Sequence, residues 1–389
     1  MIPRRAAATI LKLAKSFPVV AVTGPRGAGK TTLLRSLFPQ KPYFSFEEPD
    51  KFERAAADPR GFLEAVPEGA IIDEIQRLPG LFPYLHDAVE ARARAGAFIL
   101  AASQDLGSID ESGQPLHGRI GLLRLLPLSI AELTDSGHHA GMGLPAILYK
   151  GLFPHLHDRN ADPAAWYGEY VMSFLERDVR RVLNVRNLAV FQKFLRMCAA
   201  RVGNLLNLSS LAADCGVTHN TAQSWLQVLE AGMIVFLLRP HPRTFGKRLV
   251  KAPKIYFHDP GLASWLLNVQ GPEHAAIHPQ RGGLFEGLII AELLKSRANA
   301  GLASNLFFWR NNLGDEIDVI IDRGLELWPV EIKSGETIAS DALKTLKKWR
   351  TWAAQENGAA FLVYGGREAL RSGGISVVPW ERTSDYIQP

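Results

Sequence analysis

The sequence predicts an α/β protein of three parts. These are an N-terminal parallel sheet built around a phosphate-binding loop, a central all-α region ending in a winged helix-turn-helix, and a C-terminal α/β region. Three observations predict this. "VVAVTGPRGAGKTTLLRSLF" (19–38) is an apolar strand, a glycine-rich turn and a helix. "LSSLAADCGVTHNTAQSWLQVLEAG" (208–232) is a helix, a glycine turn and a second helix. "NLFFWRNNLGDEIDVIIDRG" (305–324) and "LWPVEIKSG" (327–335) give a hairpin and a third strand, with acids set among apolar residues.

The bulk numbers suit this division. A chain of 389 residues is long enough for two or three domains. With 47% apolar and 21% charged residues, global disorder is excluded. Cys198 and Cys215 are the two cysteines. They lack a CxxC spacing, so they read as buried apolar residues and suit a reducing, cytoplasmic setting. The N-terminal segment "MIPRRAAATILKLAKSF" is broken by Lys12 and Lys15 and reads as an amphipathic helix beside the first strand. No apolar run reaches the roughly 18 residues of a membrane span, so no membrane partner is expected. The net charge of +5 is uneven: residues 170–260 hold 13 Lys/Arg against 5 Asp/Glu, a balance of +8. A basic middle points to a polyanion, and DNA is the expected partner.

The first region spans 1–135. "GPRGAGKT" fits GxxxxGK[ST] over Gly24, Pro25, Arg26, Gly27, Ala28, Gly29, Lys30 and Thr31, with Thr32 following. Its strand–loop–helix setting is what the motif needs. The glycines let backbone N–H groups turn toward phosphates, Lys30 reaches the terminal phosphates, and the Thr31 hydroxyl serves Mg²⁺. The cofactors expected are therefore ATP and Mg²⁺. "GAIIDEIQRLP" (69–79) is an apolar strand ending in acids; Asp73 would hold Mg²⁺ and Glu74 would polarise the attacking water. "AFILAAS" ends at Ser103, which is either a sensor of the terminal phosphate or a strand-end cap. "HGRIGLLRLLPLSIAEL" (117–133) is a further strand and a short helix. There Arg119 is a candidate to contact the terminal phosphate, in its own subunit or a neighbour's.

These motifs together resemble a group of prokaryotic ATPases of the AAA superfamily, in which the ATPase core is fused to a winged helix and a C-terminal nuclease-like domain. The resemblance covers nearly the whole chain. The glycine usual before the serine-glutamine pair is Ala102 here. It implies an AAA-type ATPase and leaves the act that ATP drives open.

Residues 136–185 read as a helical linker or lid, serving the nucleotide or a subunit contact. A homo-oligomer is thus one expectation. "GHHAGMG" (137–143) reads as a glycine-rich loop with solvated histidines. Region 186–265 is the winged helix-turn-helix. Ser209 or Ser210 caps the first helix, Gly216 closes it, and Thr218 caps the second. His219, Asn220, Gln223 and Ser224 would face base edges. Arg243, Lys247, Arg248 and Lys251 on the wing would meet phosphates. A protein-docking role stays open, because the second helix carries no Lys or Arg.

In region 266–389, Asp318 stands inside a strand, and Glu331 and Lys333 lie two apart, on one face of the next. A charge in a strand needs a partner or a cation. Asp318, Glu331 and the Ile332 carbonyl are oxygen ligands suited to Mg²⁺, with Glu286 on the preceding helix as a further ligand. The spacing resembles the PD-(D/E)xK nucleases, with Asp318 as the first acid and Glu331-Ile332-Lys333 as the ExK element. This implies a restriction-endonuclease-like fold and metal-assisted phosphodiester cleavage, in which Lys333 orients the water. A salt-bridged, non-cutting scaffold remains the alternative.

Overall fold

A computed structural model describes residues 1–92, 94–105, 118–180, 188–243, 249–339, 342–354 and 358–388. The expected phosphate contacts Lys247 and Arg248, His117 and the end of the 136–185 linker lie outside these residues. The chain divides into two compact units. The first comprises residues 1–128 with 231–233 and 298–302; the second holds the remainder.

The first unit is a five-stranded sheet in the order β2-β3-β4-β1-β5, all neighbours parallel. Its strands are β1 (Val19–Thr23), β2 (Tyr43–Ser45), β3 (Ile71–Asp73), β4 (Phe98–Ala102) and β5 (Ile120–Arg124). β2 has three residues, too few to show a period in the sequence. Alternate residues of β1 enter different cores. Val19 and Ala21 join Phe46, Ile72 and Leu100 on one face; Val20 and Val22 join Leu34, Ile71 and Ile99 on the other. A strand buried on both faces reads as an unbroken apolar run, as "VVAV" does. The N-terminal segment forms the expected helix, Ala6–Ser16.

Close approach fixes one turn in this unit. Gly69 has φ +81°, and a Cβ there would lie 1.8 Å from the Ala97 carbonyl oxygen. Gly69→Ala is therefore expected to cost about 2–5 kcal/mol, combining left-handed strain with overpacking. Denaturant unfolding measures this; an unchanged midpoint would mean that the turn yields freely.

In the second unit, helices Leu208–Cys215 and His219–Ala231 meet at Gly216, which is left-handed at φ 70°. Thr218 caps the second helix as expected, its hydroxyl accepting from the Thr221 N–H. The first helix is capped by Asn207, not by Ser209 or Ser210, because Asn207 Oδ1 accepts from the Ser210 N–H at 3.0 Å. An antiparallel ribbon follows, formed by β6 (Val235–Leu238) and β7 (Lys254–Phe257). Cys198 and Cys215 are free and buried. In the histidine loop His138 is exposed as expected, whereas His139 is buried, packed on Trp380 and 3.3 Å from Glu381.

The helix Arg281–Asn299 precedes a six-stranded sheet ordered β12-β13-β11-β10-β9-β8. β8 (Leu306–Arg310), β9 (Glu316–Asp322) and β10 (Leu327–Lys333) are antiparallel, and β10 runs parallel to β11 (Phe361–Tyr364). β12 (Leu370–Ser372) and β13 (Ile375–Pro379) complete the sheet beyond β11. The helix Lys344–Trp352 covers it, with Trp349 edge-on to Trp309 at 5.2 Å. Among the described residues, no helix is long and apolar enough to cross a membrane.

Candidate functional sites

The first site forms at the C-terminal ends of β1, β3 and β4. β1 runs into Gly24, whose N–H is bonded to the Ala102 carbonyl. A Cβ at Gly24 would lie 2.0 Å from the Leu125 carbonyl oxygen, so the first loop position admits glycine alone. Gly27 and Gly29 take φ of 73° and 89°, turning the loop into the helix Lys30–Leu37. Lys30 is buried, and its ammonium donates to the carbonyls of Gly24 and Pro25 at 2.9 and 3.0 Å. Thr32 points to solvent.

Thr31 and Asp73 are together: the Thr31 hydroxyl donates to Asp73 Oδ2 at 2.5 Å. Tyr43 donates to the same oxygen at 2.9 Å. Burial pushes the Asp73 carboxyl up, the Thr31 hydrogen bond opposes this, and the charge of Glu74 adds to it. Glu74 follows in the left-handed region at φ 55°, a strained state for a non-glycine residue. Its carboxylate accepts from Ser103 Oγ and from Gln76 Nε2, each at 2.5 Å. Arg26 lies 3.6 Å away and also pairs with Glu47 at 2.9 Å. β4 separates β1 from β3, so Ser103 lies between the loop and the acids, with its hydroxyl on Glu74 rather than on a strand end.

Arg119 is elsewhere. It precedes β5, its carbonyl accepts from the Val19 N–H, and its guanidinium pairs with Glu90 at 2.7 Å. Because β1 and β5 are parallel, Arg119 lies at the opposite end of the sheet from Gly24. A contact to the phosphates of its own subunit is therefore not met. Three residues of this site were missed in the sequence. Arg4 donates to the carbonyls of Ala28 and Leu126, while Tyr43 and Gln76 hold the acids. Arg4 and Tyr43 are far from the motifs in sequence, and Gln76, two residues after Glu74, is local but was not singled out.

The second site lies on β9 and β10. Asp318 Oδ2 accepts from the Ile332 N–H at 2.8 Å. Lys333 Nζ lies 2.9 Å from Glu331 and 3.7 Å from Asp318. Glu331 is buried, and among the described residues its Oε1 has no hydrogen-bond partner. Burial, then the charge of Asp318, pushes its carboxyl up to about 8. Glu286 faces a different set: Lys254 at 2.9 Å and the Tyr256 hydroxyl. Burial and Asp318 raise its carboxyl to about 7. Among the described residues, no three His, Cys, Asp or Glu side chains are grouped to hold a metal. Asp318 and Glu331 share Lys333, and Glu286 is engaged by Lys254 and Tyr256.

A raised carboxyl has a stability sign. Glu331 binds its proton more tightly in the folded chain, so this contribution is present at pH 4.5 and lost as pH rises toward 8. In metal-free buffer, Tm is expected to fall across that window, and Glu331→Gln to flatten the fall. Parallel profiles for the two proteins would show that Glu331 is not the group responsible.

Family models match in three places: an AAA domain over 16–134, a domain of unknown function (DUF8612) over 143–273, and another (DUF4143) over 281–383. Uncharacterized proteins Rv2008c of Mycobacterium tuberculosis and Mb2031c of Mycobacterium bovis are each 33% identical over 338 residues, which is 86% of this chain and 74% of theirs. The chain belongs to their family. Its N-terminal region is an AAA-type ATPase domain, the class that binds and hydrolyses ATP. Solved structures similar to the chain include the Walker-type ATPase PABY2304 of Pyrococcus abyssi, at 17% identity and TM-score 0.46, covering 69% of this chain and 96% of that one. AMPPCP-bound DnaA of Aquifex aeolicus is similar at 15% identity and TM-score 0.27, covering 58% of this chain and 85% of that one.

Proposed function

We propose that the protein is a Mg²⁺-dependent ATPase whose nucleotide state governs DNA binding by the 186–265 region and metal-assisted cleavage at Asp318 and Glu331. The observation that carries the ATPase half is the hydrogen-bonded set Thr31–Asp73 and Ser103–Glu74 beside a glycine-lined loop. Thr31 and Asp73 would hold Mg²⁺, which supplies charge neutralisation for the phosphates. Lys30 swings from two backbone carbonyls to the terminal phosphates. Glu74 accepts the proton of the attacking water while Ser103 fixes its carboxylate.

The DNA half rests on charge and exposure. His219, Asn220, Gln223 and Ser224 form an exposed helix face, and Arg243 and Lys251 are exposed on the wing. If these cations meet phosphates, affinity falls steeply with salt. Reversing Lys247 and Arg248 to Glu is expected to reduce the salt slope by about two, as each phosphate contact contributes roughly 0.9. Fluorescence anisotropy of the full chain on duplex DNA, with and without nucleotide, measures this. A salt-independent signal would favour a protein-docking surface.

At the second site, Asp318 and Glu331 would hold one cation, and Lys333 would orient the water and steady the phosphate. The scaffold reading is favoured by one observation: each acid already has a lysine, Lys333 for Glu331 and Lys254 for Glu286.

A further inference from the structure

Lys254 sits on β7, in the ribbon that follows the helix-turn-helix, yet its side chain belongs to the acid site of the sheet. It is 3% exposed. Its ammonium lies 2.9 Å from Glu286 Oε1, pairs with Glu316 Oε1, and stands 5.6 Å over the Phe308 ring. Tyr256, two residues on and so on the same face of β7, is fully buried and donates its hydroxyl to the same Glu286 oxygen. Glu316 is shared with Arg310 at 3.0 Å. Asp318 and Glu331 are instead served by Lys333.

We infer that Lys254 is a built-in cation standing where a second divalent ion would otherwise bind, so that Glu286 is its counter-charge and not a metal ligand. Two partly buried carboxylates converging on one point need a positive charge between them. A lysine ammonium is a compact point charge with three donors, and here it meets both acids. With Tyr256 on the same oxygen, Glu286 Oε1 is already doubly engaged. A divalent ion drawing Glu286 inward must break both bonds and then share the space with an ammonium that repels it. At the pair Asp318–Glu331 the cation is Lys333, whose side chain is half exposed and can swing to solvent, and among the described residues Glu331 Oε1 has no hydrogen-bond partner. Lys254 thus sets the metal count of the site at one, from an element outside the nuclease-like sheet.

This inference rests on the reading of Asp318 and Glu331 as a cation site, and the test separates the two. Mn²⁺ binding to the nucleotide-free full chain is followed by the loss of the free-ion paramagnetic resonance signal. All proteins carry Asp73→Asn to remove the phosphate-loop ion. The parent is expected to bind one ion, and Asp318→Asn to lose it by at least tenfold in affinity. Glu286→Gln is expected to keep the ion within about threefold; a tenfold loss would make Glu286 a ligand and overturn the inference. Lys254→Gln removes the ammonium, keeps both acids and leaves an amide to donate to them, which protects the fold. It is expected to bind one ion more than the parent, whether the parent binds one or none. The same count as the parent overturns the role of Lys254. A parent that binds none, beside a Lys254→Gln variant that gains one, overturns the cation reading of Asp318 and Glu331 and leaves Lys254 as assigned.

Discussion

Glu74→Gln is expected to bind ATP as tightly as the parent and to hydrolyse it at least about 100-fold more slowly, since a positioned base contributes roughly 10²–10⁴. The geometry makes the substitution clean. A glutamine keeps the carboxamide oxygen where Ser103 donates, and it has the same shape in the strained φ 55° position. It loses the capacity to take a proton from water, together with the charge beside Arg26 and the carboxylate oxygen that accepts from Gln76, whose amide can turn to compensate. Lys30→Ala separates the other half of the machinery. It removes a charge-assisted contact of about 1.5–3 kcal/mol, so nucleotide binding weakens by roughly 10- to 100-fold. Binding is read with a fluorescent ATP analogue and turnover by phosphate release. A Glu74→Gln protein that releases phosphate like the parent would remove Glu74 from the role of base. Ser103 or an unassigned acid would then have to be sought there.

Local sequence carried the nucleotide site well because its parts are local. The loop, its helix and the acids closing β3 are each a short string whose chemistry depends on its own backbone. What was illegible depends on which strand lies beside which. Arg4 reaches Ala28 and Leu126 from far along the chain, and nothing in "MIPRR" announces it. Tyr43 is placed on Asp73 by β2, a strand too short to show a period. For Arg119 the sequence offers an arginine near a strand but not which end of the sheet it occupies; its position disfavours the phosphates of its own subunit and leaves the neighbour's as the expectation. In the second site, Asp318, Glu331 and Lys333 were legible because acids inside apolar strands are costly without partners. Glu286 was correctly set on a helix, yet its partners Lys254 and Tyr256 come from the ribbon, across a boundary drawn at 265.

Asp318→Asn is expected to abolish Mg²⁺-dependent nicking or cleavage of duplex or branched DNA while ATP turnover is unchanged. Groups that only support a metal ligand already cost about 10–100-fold when removed, so a direct ligand costs at least that. The fold has little reason to change, since asparagine retains an oxygen to accept from the Ile332 N–H, now made at 2.8 Å. The charge, however, is halved at the pair. With Asp318 neutral, Glu331 loses the second cause of its raised carboxyl, and Lys333 turns wholly to Glu331 at 2.9 Å. The variant should thus be no less stable than the parent in metal-free buffer, which distinguishes loss of chemistry from loss of structure. Parent and variant must come through one purification, so that a contaminating nuclease appears in both. If the parent cuts nothing with Mg²⁺ or Mn²⁺ on any of these DNAs, with or without ATP, the scaffold reading holds and the lysine-paired acids are its ion-pair framework. If the variant cuts as the parent does, the activity lies elsewhere and the roles given to Asp318, Glu331 and Lys333 fall together, because all three depend on one cation between two strands.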